Sequence, residues 1–483
     1  KSLCYQLAVL AELVERPEAR SLWLFPAKAL AYDQLGNLER QVAEAGLAGV
    51  ARPACYDGDT PTHRRPGIRR SANIVLSNPD MLHQSILPYH AKWAGFLANL
   101  RYVVLDEIHT YRGIFGSHVA GVIRRLRRLC RHYGSDPVFV SCSATLGNPR
   151  PLAEWLTGKT GVRLIDEDGS PRGERWVVLW NPPWQEEGAR ITRRSGNVEA
   201  QALMEALLEA DAGTIVFAKA RVVAELIYKY VAESLQRRRR GDLAKRIRPY
   251  RGGYLPIERR EIEQKLFTGE LLGVCSTNAL ELGIDVGSLD AAVIVGFPGT
   301  LCSLWQQAGR AGRRQDASLS IFVAYDDPVD QYLMRNPDFV FKQPLEHAVI
   351  DPDNPHILAA QLGCAAFELP LTDDDLAEFS PAATDVAQVL AEDGKLRRSG
   401  VTPAPTDGDA APETDARYYW ASAEFPAAKT NLRTISDATF AIVDVTGGRN
   451  EVIGQVDSIS APELVYPEAV YLHQGESYIV RQL

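Results

Sequence analysis

No stretch of this chain approaches about 18 consecutive apolar residues, so no membrane-spanning helix is expected. An initiator Met is absent. The opening Lys1-Ser2-Leu3-Cys4-Tyr5 also lacks the basic region and apolar run of a signal peptide, so the chain reads as cut at its N-terminus. There are seven cysteines, an odd number spread over 483 residues, and none stands in a Cys-x-x-Cys pair. That argues against a disulfide framework and a zinc site, and for reduced thiols in the cytoplasm. Net positive charge is missing as well, at a formal −8. This excludes little, because nucleic-acid binding follows local potential and not the total.

Hydrophobic content of 46% and charged content of 24% are those of an ordinary globular chain, and the length predicts two to four domains. Basic residues cluster. Eight Lys and Arg stand against one acid, Asp242, between Arg237 and Arg251. A second group, Arg124, Arg125, Arg127, Arg128 and Arg131, falls on a predicted helix. Each run admits two readings, a solvated helix face or a surface for phosphates. Acids gather at Asp373-Asp374-Asp375 and between Asp407 and Asp415.

Short apolar runs at 21–25, 73–77, 102–105 and 137–141 end in small or turn-forming residues, as buried parallel strands do. Helical patterns separate them, which predicts right-handed βαβ crossovers. A second such pattern has strands at 213–217, 272–275, 291–295 and 318–323. The expected architecture is therefore α/β, with two tandem lobes over 1–155 and 190–325, each built on a parallel sheet. Residues 156–189 read as a strand leading into a linker, and 326–400 as a helical, winged-helix-like region. Residues 401–416 read as a Pro- and Asp-rich linker or loop, and 417–483 as a small β-rich module.

The run Arg101-Tyr-Val-Val-Leu-Asp-Glu-Ile-His109 drives an apolar strand straight into a paired acid. Asp106 and Glu107 then sit at the strand's carboxyl end, where open α/β sheets bind ligands. One carboxylate there can hold Mg²⁺ while its neighbour orients and deprotonates an attacking water. Companions follow in order. Lys1-Ser2 opens the chain about 105 residues upstream, Ser143-Ala144-Thr145 follows the acids, and Gln306 to Arg313 reads Gln-Gln-Ala-Gly-Arg-Ala-Gly-Arg.

Together these strings resemble superfamily 2 helicases, whose two RecA-like lobes close on ATP and pull on a nucleic-acid strand. The resemblance implies a set of roles. Lys1 and Ser2 match the end of a Walker A loop, with Lys1 on the phosphates and Ser2 on Mg²⁺; the phosphate-cradling glycines of that loop are not in the chain. Asp106 holds Mg²⁺ through water and Glu107 is the general base. His109, Ser143 and Thr145 couple the site to lobe movement. Gln306 contacts the γ-phosphate or water, and Arg310 and Arg313 are arginine fingers. Gly283 and Asp285, within Thr277-Asn-Ala-Leu-Glu-Leu-Gly-Ile-Asp285, belong near the nucleotide. The strand track takes Pro26, Lys28, Gly58, Ser77 and Pro79 from the first lobe, and Lys219, Arg251, Gly252 and Thr277 from the second. Such contacts position a strand through its phosphates without reading bases.

Three strings point to one branch: His109-Thr-Tyr-Arg-Gly-Ile-Phe-Gly-Ser-His118, Thr277 to Asp285, and Phe297-Pro-Gly-Thr-Leu-Cys-Ser-Leu-Trp-Gln-Gln307. They are similar to bacterial mitomycin-repair (MrfA-type) helicases and their fungal RecQ-like relatives, as is Tyr471-Leu-His-Gln-Gly-Glu-Ser-Tyr478. That family continues into a four-cysteine zinc module, so an end at Leu483 implies truncation there too. The resemblance implies an ATP- and Mg²⁺-dependent 3′-to-5′ DNA helicase in DNA repair. Its partners would be single-stranded DNA, tailed duplex and other repair proteins. The alternatives are a large helicase-related enzyme, an RNA helicase, and a nucleic-acid-binding scaffold without ATPase activity.

Overall fold

A computed structural model of the chain describes residues 2–169, 173–187, 190–281, 287, 289–312, 317–399, 416–433, 439–446, 450–457, 460–474 and 476–483. It divides into two compact units, residues 1–165 with 347–435 and residues 166–346 with 436–483.

The first unit is built on five parallel strands: β1 (Arg20–Leu24), β2 (Pro53–Cys55), β3 (Ile74–Ser77), β4 (Leu100–Leu105) and β5 (Val138–Ser141). Their order is β2-β3-β1-β4-β5, so the chain reverses direction across the sheet between β1 and β4. Alternate side chains feed two cores, because successive residues of a strand point to opposite faces. Leu22, Leu24, Val103 and Leu105 pack with helix Gly113–His132 on one face. Trp23, Phe25, Ile74 and Val104 pack with helices Ser2–Glu15 and Lys28–Glu44 on the other. Both faces are covered over the middle of the sheet, which is why the runs Leu22–Leu24, Ile74–Leu76 and Val103–Leu105 are continuously apolar and do not alternate with polar residues.

The second unit holds β6 (Arg175–Trp180), a hairpin of β7 (Trp184–Glu187) and β8 (Arg190–Arg193), and then β9 (Thr214–Ala218), β10 (Ile247–Tyr250), β11 (Gly273–Ser276), β12 (Ala291–Val295) and β13 (Ser318–Val323). Its parallel sheet runs β10-β11-β9-β12-β13-β6. Helices Gly196–Glu209 and Arg221–Arg237 cover one face through Met204, Leu208, Ile227 and Val231. The strand expected within 156–189 is present as Arg175–Trp180, and it is part of this lobe and not of a linker, because it pairs along its whole length with β13 as an edge strand. The lobe also extends beyond 325. Buried Asp330 accepts the Phe297 and Tyr325 amides, at 3.0 and 2.7 Å, and its burial raises its pKa. The Glu346 carboxylate accepts the Leu301 and Cys302 amides at the start of helix Leu301–Ala308, where a negative charge is favoured.

Residues 350–433 add helices Pro355–Glu368, Asp373–Phe379 and Ala383–Glu392 to the first unit. They also add an antiparallel sheet of β14 (Leu371–Thr372), β15 (Leu396–Ser399) and β16 (Arg417–Trp420), in the order β14-β16-β15. β16 completes this helical region, so 417–433 does not belong to the terminal β module as expected. Most of the expected linker, 401–415, lies outside the described residues. The acidic run Asp373–Asp375 is a helix start. Asp375 and Thr372 form a reciprocal capping box, with each side chain accepting the other's amide. In the second unit, β17 (Thr439–Asp444) pairs with β18 (Glu451–Asp457), and β19 (Val470–His473) with β20 (Glu476–Ile479).

Helix Gly113–His132 carries the first basic run, and neither sequence reading of it holds for Arg125 and Arg128. Arg125 is fully buried. It is paired with Glu368 and donates to Gln361 at 3.0 Å and to His83 Nδ1 at 2.7 Å. Arg128 donates to the Ala365 and Leu369 carbonyls and pairs with Asp375 at 2.9 Å. Arg131 pairs with Glu378. Arg125 and Arg128 thus dock residues 350–433 onto the first lobe, Arg131 is an exposed partner of that dock, and Arg127 instead donates to the Thr157 and Gly158 carbonyls.

His83 reports on this dock. Its Nε2 lies 3.0 Å from both the Ala427 and Thr430 carbonyls and must donate to them, while Nδ1 accepts from Arg125. A second proton would have to go on Nδ1 and face the guanidinium. Burial first, and Arg125 second, push its pKa down to about 3. In the unfolded chain the imidazole titrates near its ordinary 6.5. Below that pH the unfolded state takes up a proton that the folded state refuses. Stability is therefore fully present above about pH 6.5 and falls toward pH 3, by on the order of 4 kcal/mol for this one group. Urea titrations across this range should show the loss, and His83→Gln should flatten the part due to His83. A variant whose pH dependence matches the parent would remove His83 as the cause.

Candidate functional site

In the first unit the candidate residues gather at the carboxyl ends of β1, β4 and β5. The ladder continues past β4: the Asp106 amide donates to the Leu24 carbonyl at 3.0 Å, and Cys142 donates to Leu105 at 2.8 Å. It then breaks. Glu107 adopts φ +52° and ψ +46°, left-handed backbone that a non-glycine residue takes at a cost. This turn sends the Glu107 side chain off the strand's course beside Asp106. The Asp106 carboxylate is held at both oxygens, Oδ1 by the Glu107 amide at 2.8 Å and Oδ2 by the Tyr5 hydroxyl at 2.9 Å.

Tyr5 was not legible as a site residue. It lies on the first turn of helix Ser2–Glu15, 1% exposed, with its ring edge-on to Trp23 at 5.0 Å. Burial and the charge of Asp106 raise its pKa, so the hydroxyl remains a donor at any working pH. The same contact ties the first turn of the helix, which begins at Ser2, to Asp106. Lys1 lies outside the described residues.

His109 is buried, with Nδ1 3.4 Å from Glu107 Oε2 and 3.2 Å from the Ala144 amide, which donates to it. The Ser143-Ala144-Thr145 turn after β5 thus touches the acid pair through one imidazole. A nucleotide-borne Mg²⁺ fits this donor set, since it needs one carboxylate and a hydroxyl and takes its other oxygens from phosphate and water. Among the described residues no cluster of three or more His, Cys, Asp or Glu suits a metal held by protein alone.

The candidate strand track of the first lobe lies along turns near the same sheet edge. Pro26 and Lys28 open helix Lys28–Glu44, and Lys28 Nζ is 3.0 Å from Asp59. A Cβ added at Gly58 would come 3.1 Å from Lys28 Nζ, so glycine there allows the close approach. Ser77 donates to the Tyr56 carbonyl at 2.6 Å, and Pro79 starts a short helix capped by Asn78. Sequence reasoning missed Arg433, which donates to the Pro26 carbonyl and the Asp80 carboxylate. No local pattern could have found it, because it lies 407 positions from Pro26.

In the second unit, Thr300 caps helix Leu301–Ala308. Gln307, the neighbour of the expected residue, is the internal one. It donates to Glu281 at 2.9 Å and to Ser303 at 3.2 Å. Gln306 Nε2 is buried and, among the described residues, has no hydrogen-bond partner. Arg310 is 7% exposed and donates to the Glu281 carbonyl, which ties it to the segment that begins at Thr277. Gly283, Asp285 and Arg313 lie outside the described residues.

Thr277 stands at the carboxyl end of β11, 6% exposed, and Lys219 at that of β9, 3.9 Å from Asp327. Gly252 is exposed. Arg251 departs from expectation. It is 4% exposed, donates to Glu225 at 3.1 Å, and donates to the Tyr471 hydroxyl and Leu472 carbonyl at 2.7 Å. It fastens β19 to its own lobe, so its guanidinium is not turned to a strand. Most of the basic run is likewise answered locally. Arg238 pairs with Glu205 and Glu209, Arg240 with Asp242, and Arg246 with Asp211. Arg237 and Arg239 are exposed.

Three family models match in order: DEAD/DEAH box helicase over residues 1–152, helicase conserved C-terminal domain over 199–315, and the winged helix domain of ATP-dependent helicase HRQ1 over 350–435. The uncharacterized ATP-dependent helicase YprA of Bacillus subtilis (strain 168) is 47% identical over the whole chain, which spans 62% of that protein. ATP-dependent helicase hrq1 of Schizosaccharomyces pombe is 38% identical, again over the whole chain, which spans 44% of it. The chain thus spans between about two fifths and two thirds of these relatives. The crystal structure of the DUF1998 helicase MrfA bound to DNA and AMPPNP superposes with a TM-score of 0.89 at 46% identity, covering the whole chain and 64% of that protein. With both parallel-sheet lobes in place, the helicase models matched in sequence order and a winged-helix domain of the HRQ1 kind behind them, the chain belongs to the superfamily 2 helicases.

Proposed function

We propose that this chain is the motor part of an ATP-dependent DNA helicase that moves 3′ to 5′ along single-stranded DNA and serves DNA repair in the cytoplasm, alongside other repair proteins. The observation that carries this reading is the acid pair. Asp106 is pinned at both oxygens and Glu107 is turned off the strand into left-handed backbone, which is the arrangement a metal-holding acid and a neighbouring base require. Mg²⁺ would supply charge neutralisation on the phosphates, with Asp106 and Ser2 holding it. Glu107 would accept the proton of the attacking water, with His109 carrying the state of that carboxylate to the Ser143–Thr145 turn. Lys1, Gly283, Asp285, Gln306, Arg310 and Arg313 would complete the nucleotide site. Pro26, Lys28, Gly58, Ser77, Pro79, Lys219, Gly252 and Thr277 would line the strand.

DNA as the strand is supported by the similarity to MrfA, whose solved structure holds DNA. The test is unwinding of tailed duplexes by the full-length protein with ATP. A duplex with a 3′ single-stranded tail should be separated, and one with only a 5′ tail should stay intact. Equal unwinding of both would refute the polarity, and stimulation of ATP turnover by RNA alone would refute the choice of DNA.

A further inference from the structure

We propose that Arg433 is a positioning residue of the strand track, a clip by which the end of the winged-helix region holds two phosphate-facing turns in register. The inference rests on the reading of Pro26–Lys28 and Ser77–Asp80 as that track. One guanidinium makes three contacts here. Nη2 donates to the Pro26 carbonyl at 2.7 Å, Nε donates to Asp80 Oδ2 at 2.9 Å, and the carbon of the group lies 4.2 Å from the centre of the Phe115 ring. Each contact falls on a different element: the turn before helix Lys28–Glu44, the short helix Pro79–Met81, and the helix that follows the acid pair.

Those elements need an outside hold. Helix Lys28–Glu44 has no side-chain cap at its start, so the Pro26-Ala27 turn is not fixed locally. The helix Pro79–Met81 is three residues long. Arg433 is itself held from behind, because Leu432 is 1% exposed in the core of the first lobe. The arrangement also gives a use to Phe115 in the string His109 to His118, which the nucleotide site leaves unexplained. Phe115 packs edge-on to buried Tyr111 at 5.5 Å.

A half-exposed ion pair with Asp80 alone would contribute little. What matters is geometry: a planar guanidinium reaches a carbonyl and a carboxylate from its edge while its face lies on a ring, whereas an ammonium carries the same charge as a compact point on a flexible stem and does not hold the three in one fixed arrangement. Charge and geometry can therefore be separated by experiment. Binding of a labelled oligodeoxythymidylate by the full-length protein would be measured over a range of salt for the parent, Arg433→Lys and Arg433→Ala. Both variants should bind about tenfold more weakly, the equivalent of one lost hydrogen bond to a charged group. The slope of log affinity against log salt should not change, since no phosphate loses its counter-charge.

Arg433→Lys binding like the parent would overturn the proposal, because charge alone would then suffice. So would a slope reduced by about one in Arg433→Ala, the mark of a direct phosphate contact. If Arg433→Ala does not fold, Arg433→Lys decides alone. A parent protein that binds no DNA would instead refute the track reading beneath the proposal, which separates the two failures.

Discussion

Glu107→Gln is expected to stop ATP turnover while leaving nucleotide binding intact. The substitution keeps the side chain's size and its place beside His109, and removes only the ability to take a proton. Loss of a general base costs roughly 10²- to 10⁴-fold in rate. The left-handed backbone should survive, because backbone bonds hold it before and after Glu107, beginning with the Asp106 amide on the Leu24 carbonyl at 3.0 Å. The Ile108 amide donates to the Cys142 carbonyl at 2.9 Å and the Thr110 amide to the Glu107 carbonyl at 3.0 Å. Tight binding of a fluorescent ATP analogue with turnover at background is the expected pair of results. Turnover at the parent rate would remove Glu107 from the mechanism, and with it the main support for a helicase reading of the site.

Glu368→Ala should destabilise the first unit by about 3–5 kcal/mol, the usual consequence of leaving one member of a buried ion pair behind. Arg125 has no exposed surface through which to recover hydration. Its remaining partners, Gln361 and His83, are neutral and cannot compensate its charge. The Arg125→Met/Glu368→Leu double variant should be far closer to the parent, since it removes both charges and keeps the volume. The same loss should expose helix Pro355–Glu368 to hydrogen exchange before the parallel sheet, because that helix is fastened to the lobe through these side chains. A denaturant midpoint for Glu368→Ala equal to the parent's would mean that the pair does not hold the dock.

Both predictions come from one polypeptide, yet only the first could be framed before the fold was known. The acid pair, the Ser-Ala-Thr turn and the string from Gln306 to Arg313 are readable because each is contiguous. Each is also placed by a local rule: a buried parallel strand must be apolar to its end, and its ligand-facing residues must then follow directly. The two sheets were legible for the same reason. The domain borders were less so. β6 joins β13 across 143 positions in the register Arg175 to Ser318, and β16 joins β14 across a segment that reads as a loop.

Tertiary structure alone decided what the charges do. A sequence shows that Arg125, Arg128, Arg251 and Arg433 are cations but not what stands opposite them. Their partners are Glu368, Asp375, Glu225 and Asp80, which lie from 26 to 353 positions away. Residues of the basic runs that read as candidate phosphate surfaces became a domain dock, through Arg125 and Arg128, and a lobe fastening, through Arg251. The physical reason is that charge belongs to a residue, whereas the field that gives it a use is made by neighbours that only folding brings within a few ångströms.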